Sequence, residues 1–206
     1  MSELENLVLT FLGWEGIPAR YINAKKSGVI KDDIGLFTQM QGAFKAFNAK
    51  KNIILLGGVG RGKSYFAYDL AFRLKLAQIK AHNRHNYPIL CTRASVLVSD
   101  FKANFSNIGT TLDKILSYHS YDNSNIKISV KSLIIDEIDD ISTNDYALLN
   151  ELIISSYERE MPLILISNKD ANSFFANFSD KALSRLNANS LIIQAQGADL
   201  RQGGAK

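Results

Sequence analysis

The stretch Asn52-Ile53-Ile54-Leu55-Leu56-Gly57-Gly58-Val59-Gly60-Arg61-Gly62-Lys63-Ser64 decides the architecture. Its first five residues read as a short buried strand. The next eight, Gly57 to Ser64, fit G-x-x-x-x-G-K-[ST] in full. Beyond them Phe66, Leu70 and Leu74 recur at helical spacing, which predicts a helix over 63–78. Strand, glycine loop and helix in this order form a phosphate cradle. Glycine omits the Cβ that would hold backbone N–H groups away from a phosphate oxygen. The helix that follows turns its positive end toward the anion. Lys63 can reach the β- and γ-phosphates, and the Ser64 hydroxyl can ligate Mg²⁺. The expected contacts for ATP or ADP are therefore Gly57, Gly58, Val59, Gly60, Arg61, Gly62, Lys63 and Ser64.

Two more strand ends belong with the cradle. Leu133-Ile134-Ile135-Asp136-Glu137 carries an apolar strand to a pair of acids. Asp136 at the sheet edge is expected to hold Mg²⁺. Glu137 beside it is placed to orient and deprotonate an attacking water, which favours hydrolysis over phosphate transfer to a small molecule. Leu163-Ile164-Leu165-Ile166-Ser167-Asn168 is a second buried strand ending in a polar residue, and Asn168 is expected to face the γ-phosphate.

Along the chain, helices are predicted over 2–12, 34–48, 63–78, 94–104, 111–119, 143–159 and 179–186. Strands are predicted over 52–56, 87–92, 130–135, 163–167 and 190–194. Ser2 and Glu5 have the spacing of a capping box. The residues from Gly13 to Asp33 read as a polar, turn-rich stretch. Buried strands separated by helices imply a parallel sheet covered on both faces, a three-layer α/β/α arrangement. The expected division is a helical extension and lead-in over 1–48, the nucleotide-binding core over 49–200 and a loose tail over 201–206. The 206 residues carry a net charge of +4, a modest excess that permits nucleic-acid binding without requiring it. One cysteine, Cys91, excludes an internal disulfide and fits the cytoplasm. Apolar runs of a handful of residues are too short to span a bilayer. The scattered histidines make no metal cluster.

The motif order resembles that of AAA+ ATPases, and the wording is similar to the DnaC/IstB group, most of all to DnaC-type helicase loaders. The segments that carry this run from Gly16-Ile17-Pro18-Ala19-Arg20-Tyr21, like the family's lead-in, through the Leu133–Ile138 segment to about Arg201. The resemblance implies an AAA+ core, and here no C-terminal helical lid follows it. It implies that Arg185, in Lys181-Ala182-Leu183-Ser184-Arg185-Leu186, reaches into a neighbour's nucleotide in a head-to-tail homo-oligomer. It also implies contacts to single-stranded DNA from Lys102 and Phe105 in Asp100-Phe101-Lys102-Ala103-Asn104-Phe105. Tyr146 in Ser142-Thr143-Asn144-Asp145-Tyr146 would be a third. Cations on phosphates and aromatic faces on bases suit strands of any sequence.

The chain departs from the family at Gly58 and Arg61, where proline and threonine are more usual. Only 15 residues precede the lead-in, where loaders carry a helicase-binding region. The apolar stripe Leu4, Leu7, Val8, Phe11 and Leu12 can dock in a groove of a ring helicase or pack on its own core. The expectation is an ATPase that loads a replicative helicase on single-stranded DNA. Its rivals are a transposase-assisting ATPase of IstB type, a phage-type helicase-binding adaptor with little turnover, and a small-molecule kinase.

Overall fold

Alternation along the first strand sets the layers. In β1 (Asn52–Leu56), Ile53 and Leu55 enter one apolar cluster, and Ile54 and Leu56 enter another. Both faces are therefore covered, which removes the whole strand from water. A computed structural model of the chain describes residues 1–28, 35–82, 88–103, 117–119 and 127–196. The remaining strands are β2 (Ile89–Arg93), β3 (Ser117–His119), β4 (Lys127–Ser129), β5 (Ser132–Asp136), β6 (Leu163–Ile166) and β7 (Ser190–Gln194). Together with β1, four of them form one sheet in the order β2-β5-β6-β1-β7, with every pairing parallel. Strands β3 and β4 pair antiparallel as a separate two-stranded unit.

One face of the sheet is covered by α1 (Glu3–Trp14), α2 (Ala19–Lys26), α3 (Met40–Asn48) and α4 (Lys63–His82). They pack on Ile53, Leu55, Ile134, Ile164, Ile166 and Ile193. The opposite face holds α5 (Ala94–Ala103), α6 (Tyr146–Glu158), α7 (Ala171–Phe175) and α8 (Asp180–Ala188). These close over Ile54, Leu56, Leu133, Ile135, Leu163 and Leu165. Among the described residues no helix is long and apolar enough to cross a membrane.

Several elements differ from expectation for identifiable reasons. Helix α1 has the expected capping box: the Glu5 N–H donates to Ser2 Oγ and the Ser2 N–H to Glu5 Oε2. Its apolar stripe, however, is spent internally. Val8 and Leu12 are fully buried with Leu9, and Leu4 packs against the same cluster. Of the two readings of this stripe, docking on a helicase or packing on its own core, the structure has the second, and only Leu7 of that set stays exposed. Helix α2 lies inside the stretch read as turns. Its hold is tertiary: the fully buried Asp69 of α4 accepts hydrogen bonds from Tyr21 Oη, Lys25 Nζ and Arg73 Nε. The helix expected over 111–119 is contradicted at its end, where Ser117–His119 is a strand paired to Lys127–Ser129. Residues 143–145 form a 3-10 turn, so the long helix starts at Tyr146, and Ser142 makes no side-chain cap bond to it. Helix α8 does have its cap: the Ala182 N–H donates to Ser179 Oγ.

The lead-in is fastened to edge strand β2. The Cys91 N–H donates to Glu15 O at 2.7 Å, and Gly16, at φ +91°, lies so close to Cys91 O that a Cβ would collide with it. The Glu15 carboxylate forms a buried ion pair with Lys75 of α4.

Candidate active site

Strands β5, β6 and β1 are neighbours in a parallel sheet, so their C-terminal ends open at one edge. Ligands of open parallel sheets bind outside that edge. The loop leaving β1 uses positive φ at Gly57, Gly60 and Gly62. At Gly57 (φ +121°) the Ala195 carbonyl occupies the place a Cβ would need, so both the conformation and the close approach require glycine. Arg61 donates to that same Ala195 O at 3.0 Å and lies over Gly58. Lys63 is buried, and its Nζ donates to Gly57 O (2.5 Å), Gly58 O (2.8 Å) and Asn168 Oδ1 (2.9 Å). The cradle lysine and the expected γ-phosphate residue are therefore in direct contact. Ser64 is half-buried one residue into α4.

Asp136 ends β5 and is buried. Its Oδ2 accepts from Tyr68 Oη at 3.0 Å and its Oδ1 from the Glu137 N–H at 2.9 Å. Cys91 and Tyr68 face this carboxylate. Burial, and then the Asp136 charge, push the Cys91 thiol up to about 12. Burial first, then Cys91 and Asp136, raise the Tyr68 phenol far above its usual range. Both groups stay neutral at physiological pH, so Tyr68 acts as a fixed donor. Glu137 adopts a left-handed backbone (φ 55°, ψ 46°), uncommon for a residue with a side chain. Its carboxylate pairs with Arg93 Nε at 3.1 Å. A small cavity of about 80 Å³ is lined by Arg20, Tyr68, Arg93, Asp136 and Glu137 together with the lead-in.

Asn168 is held from behind. Asp139, in the 3-10 turn Ile138–Asp140, accepts from Ser167 Oγ at 2.6 Å and from the Asn168 N–H. Arg185 lies elsewhere, on α8. Its guanidinium stacks 5.7 Å from the Tyr157 ring centroid, its Nε is buried without a hydrogen-bond partner, and among the described residues it makes no polar contact with the cradle. Sequence reasoning missed Tyr68, Arg93, Asp139 and Tyr157 as partners of these groups. Only the acidic run 136–140 hinted at Asp139.

Of the expected DNA contacts, Lys102 is half-exposed on α5 and pairs with Asp145 Oδ1 at 2.7 Å. The Lys102 bond, then the Ser142 hydroxyl, lowers the Asp145 carboxyl below its usual range. Tyr146 requires correction. It is 3% exposed, its ring meets Phe178 edge-on at 5.3 Å, and its hydroxyl donates to Ile138 O. A base cannot stack on it in this position. Phe105 lies outside the described residues.

The sheet order and the cradle after β1 make this chain a P-loop ATPase of the AAA+ class. The sequence pattern of the family described as "IstB-like ATP binding protein" matches residues 39–202, most of the chain, and the chain belongs to that family. No curated protein matches it in sequence. Among solved structures, DnaI is similar at 16% identity and a TM-score of 0.59, covering 84% of this chain and 88% of DnaI. A protein described as a primosome component from Streptococcus pyogenes serotype M3 is similar at 18% identity and a TM-score of 0.58, covering 89% and 91%. The replication initiator DnaA bound to AMPPCP and single-stranded DNA has 16% identity and a TM-score of 0.56. That match covers 82% of this chain and 48% of DnaA, so the chain spans about half of that relative. At such identities the likeness is one of fold.

Proposed function

We propose that the chain uses ATP binding and hydrolysis to load a ring helicase on single-stranded DNA during replication. The carrying observation is that Lys102, half-exposed on α5, is ion-paired with Asp145 on the stretch of chain that follows Glu137. Its partner Asp145 sits in the turn after Ser142, and α5 packs on the Ile138–Asp140 turn directly after Glu137. A phosphate that takes Lys102 would release Asp145, in the turn that opens the helix after the acidic stretch. The replication names of the similar structures, DnaI aside, agree with this reading.

Within the site, Lys63 exchanges the Gly57 and Gly58 carbonyls for β- and γ-phosphate oxygens. Ser64 and Asp136 offer hard oxygen donors suited to Mg²⁺. The Asp136 carboxylate fits that role: it is buried, held by a hydroxyl and an amide, and has no cation within ion-pair distance among the described residues. Mg²⁺ would neutralise charge on the β- and γ-phosphates. Glu137 takes a proton from the attacking water once Arg93 lets it turn, and Asn168 turns its amide to the γ-phosphate. Arg185 leaves Tyr157 to complete a neighbouring subunit's site in a head-to-tail assembly.

Hydrolysis measured with and without single-stranded DNA, for wild type, Glu137→Gln and Arg185→Ala, tests the proposal. DNA should change the wild-type rate, and both variants should keep nucleotide binding while losing turnover. Turnover that ignores DNA and survives Arg185→Ala would overturn it. The family match favours one other reading, a transposase-assisting ATPase; preference for double-stranded DNA and filament formation would select it.

A further inference from the structure

We infer that Asp139 is a positioning residue that sets Asn168 against the γ-phosphate, which rests on the reading of Asn168 as the group that meets that phosphate. Asn168 is exposed at the end of β6, where a strand-end amide would otherwise sample several rotamers. Three bonds restrain its neighbourhood. Asp139 Oδ1 accepts from Ser167 Oγ at 2.6 Å, Asp139 Oδ2 accepts from the Asn168 N–H, and Ser167 Oγ in turn accepts from the Lys169 N–H at 3.0 Å. The Lys169 carbonyl then accepts from the Gly57 N–H at 3.1 Å, so the same loop is stitched to the cradle. Asp139 itself cannot drift, because Ile138 beside it is fully buried and the Asp140 N–H closes the turn on Glu137 O.

The carboxylate thus bridges the turn that carries Glu137 and the strand end that carries Asn168. Bonds to a charged acceptor are stronger than neutral ones. Fixing the Asn168 backbone leaves only its side chain to swing between Lys63 Nζ and an incoming phosphate oxygen. ADP lacks the γ-phosphate, so Asp139 should matter to ATP turnover and to discrimination between ATP and ADP, and hardly to ADP affinity. Nothing in the acidic run distinguishes Asp139 from Asp140 until these bonds are seen.

The test is a double-mutant cycle on the full chain, with Asp139→Ala, Asn168→Ala and the pair combined, checked for folding by thermal melting. ATP turnover and the affinities of ADP and a non-hydrolysable ATP analogue are the readouts. Asp139→Ala should lower kcat by about tenfold to a hundredfold, the range a misplacement of about 1 Å produces. ADP affinity should stay within about twofold of wild type, the scatter of uncoupled sites. In the Asn168→Ala background the Asp139 substitution should add nothing, because its effect passes through Asn168. Additive losses, or a parallel loss of ADP affinity, overturn the proposal and leave Asp139 a structural residue. If Asn168→Ala alone has no effect, the reading of Asn168 fails and the proposal falls with it. Should Asp139→Ala not fold, Ser167→Ala removes one of the two bonds. It should lower kcat severalfold with ADP affinity kept, and unchanged turnover would then overturn the inference.

Discussion

Replacing Lys75 by methionine probes what fastens the lead-in to the ATPase body. Lys75 is 1% exposed and Glu15 5%, and Glu15 Oε2 already lacks a hydrogen-bond partner. Burial raises the Glu15 carboxyl above its usual range, against the pull of Lys75, and burial lowers the Lys75 ammonium, against the pull of Glu15. Methionine keeps an unbranched apolar stem and removes the cation. A buried carboxylate left without its partner typically costs about 3–5 kcal/mol. Proton uptake sets a ceiling, since neutralising a carboxyl of ordinary pKa about 4.3 at pH 7 costs roughly 3.7 kcal/mol. The expected loss near neutrality is therefore about 3–4 kcal/mol. In the variant the folded Glu15 binds its proton more tightly than the unfolded chain does, so its stability is greatest below about pH 4.3 and falls as pH rises. The gap to wild type should narrow on acidification by up to about 1.4 kcal/mol per pH unit, and stop narrowing once the wild-type Glu15, itself raised by burial, takes up its proton as well. Urea unfolding across that range measures it, and Glu15→Gln added to Lys75→Met should recover most of the loss. A deficit that does not change with pH, or one under about 1 kcal/mol at neutrality, would refute the reasoning.

Gly57→Ala should abolish measurable nucleotide binding, because its Cβ meets the Ala195 carbonyl in a backbone conformation that alanine resists; equilibrium titration with a fluorescent ADP checks this. Arg93→Ala should leave stability within about 1 kcal/mol, as for exposed pairs, and raise DNA-free hydrolysis up to about fivefold by releasing Glu137. Tyr146→Phe should cost about 0.5–1.5 kcal/mol for its lost bond to Ile138 and leave DNA affinity unchanged, whereas Lys102→Ala should weaken DNA binding and reduce its salt slope by about 1. Fluorescence anisotropy over a salt series reads both.

The parts of the fold legible beforehand are those written in local pattern. Residues 52–56 and 190–194 were expected as strands and are strands, since short apolar runs end sharply at polar or glycine residues. The cradle is equally local, eight consecutive residues whose loop geometry follows from their glycines. What escaped is written in long-range contacts. Helix α2 has a polar, lysine-rich sequence and forms because Asp69, more than forty positions on, receives its Tyr21 and Lys25. Strands β3 and β4 are three residues each, too short for a period to show. Tyr146 is an expected DNA contact only by the family resemblance, and no local pattern shows that its ring packs on Phe178 inside the fold. The α1 stripe was placed correctly as a stripe, yet whether it meets its own α4 or a stranger is a matter of packing that periodicity does not contain.

Arg61 ties two distant parts of the chain together. Its guanidinium holds the Ala195 carbonyl, and the Ala195 N–H donates to Leu56 O, so both backbone groups of the residue that leaves the last strand are tied to β1 and the loop after it. Were Arg61 to turn away, the bond to Ala195 O would be lost while the Ala195 N–H kept its bond to Leu56 O. One of the two backbone anchors where the chain leaves the last strand therefore rests on a side chain of the nucleotide loop, Arg61.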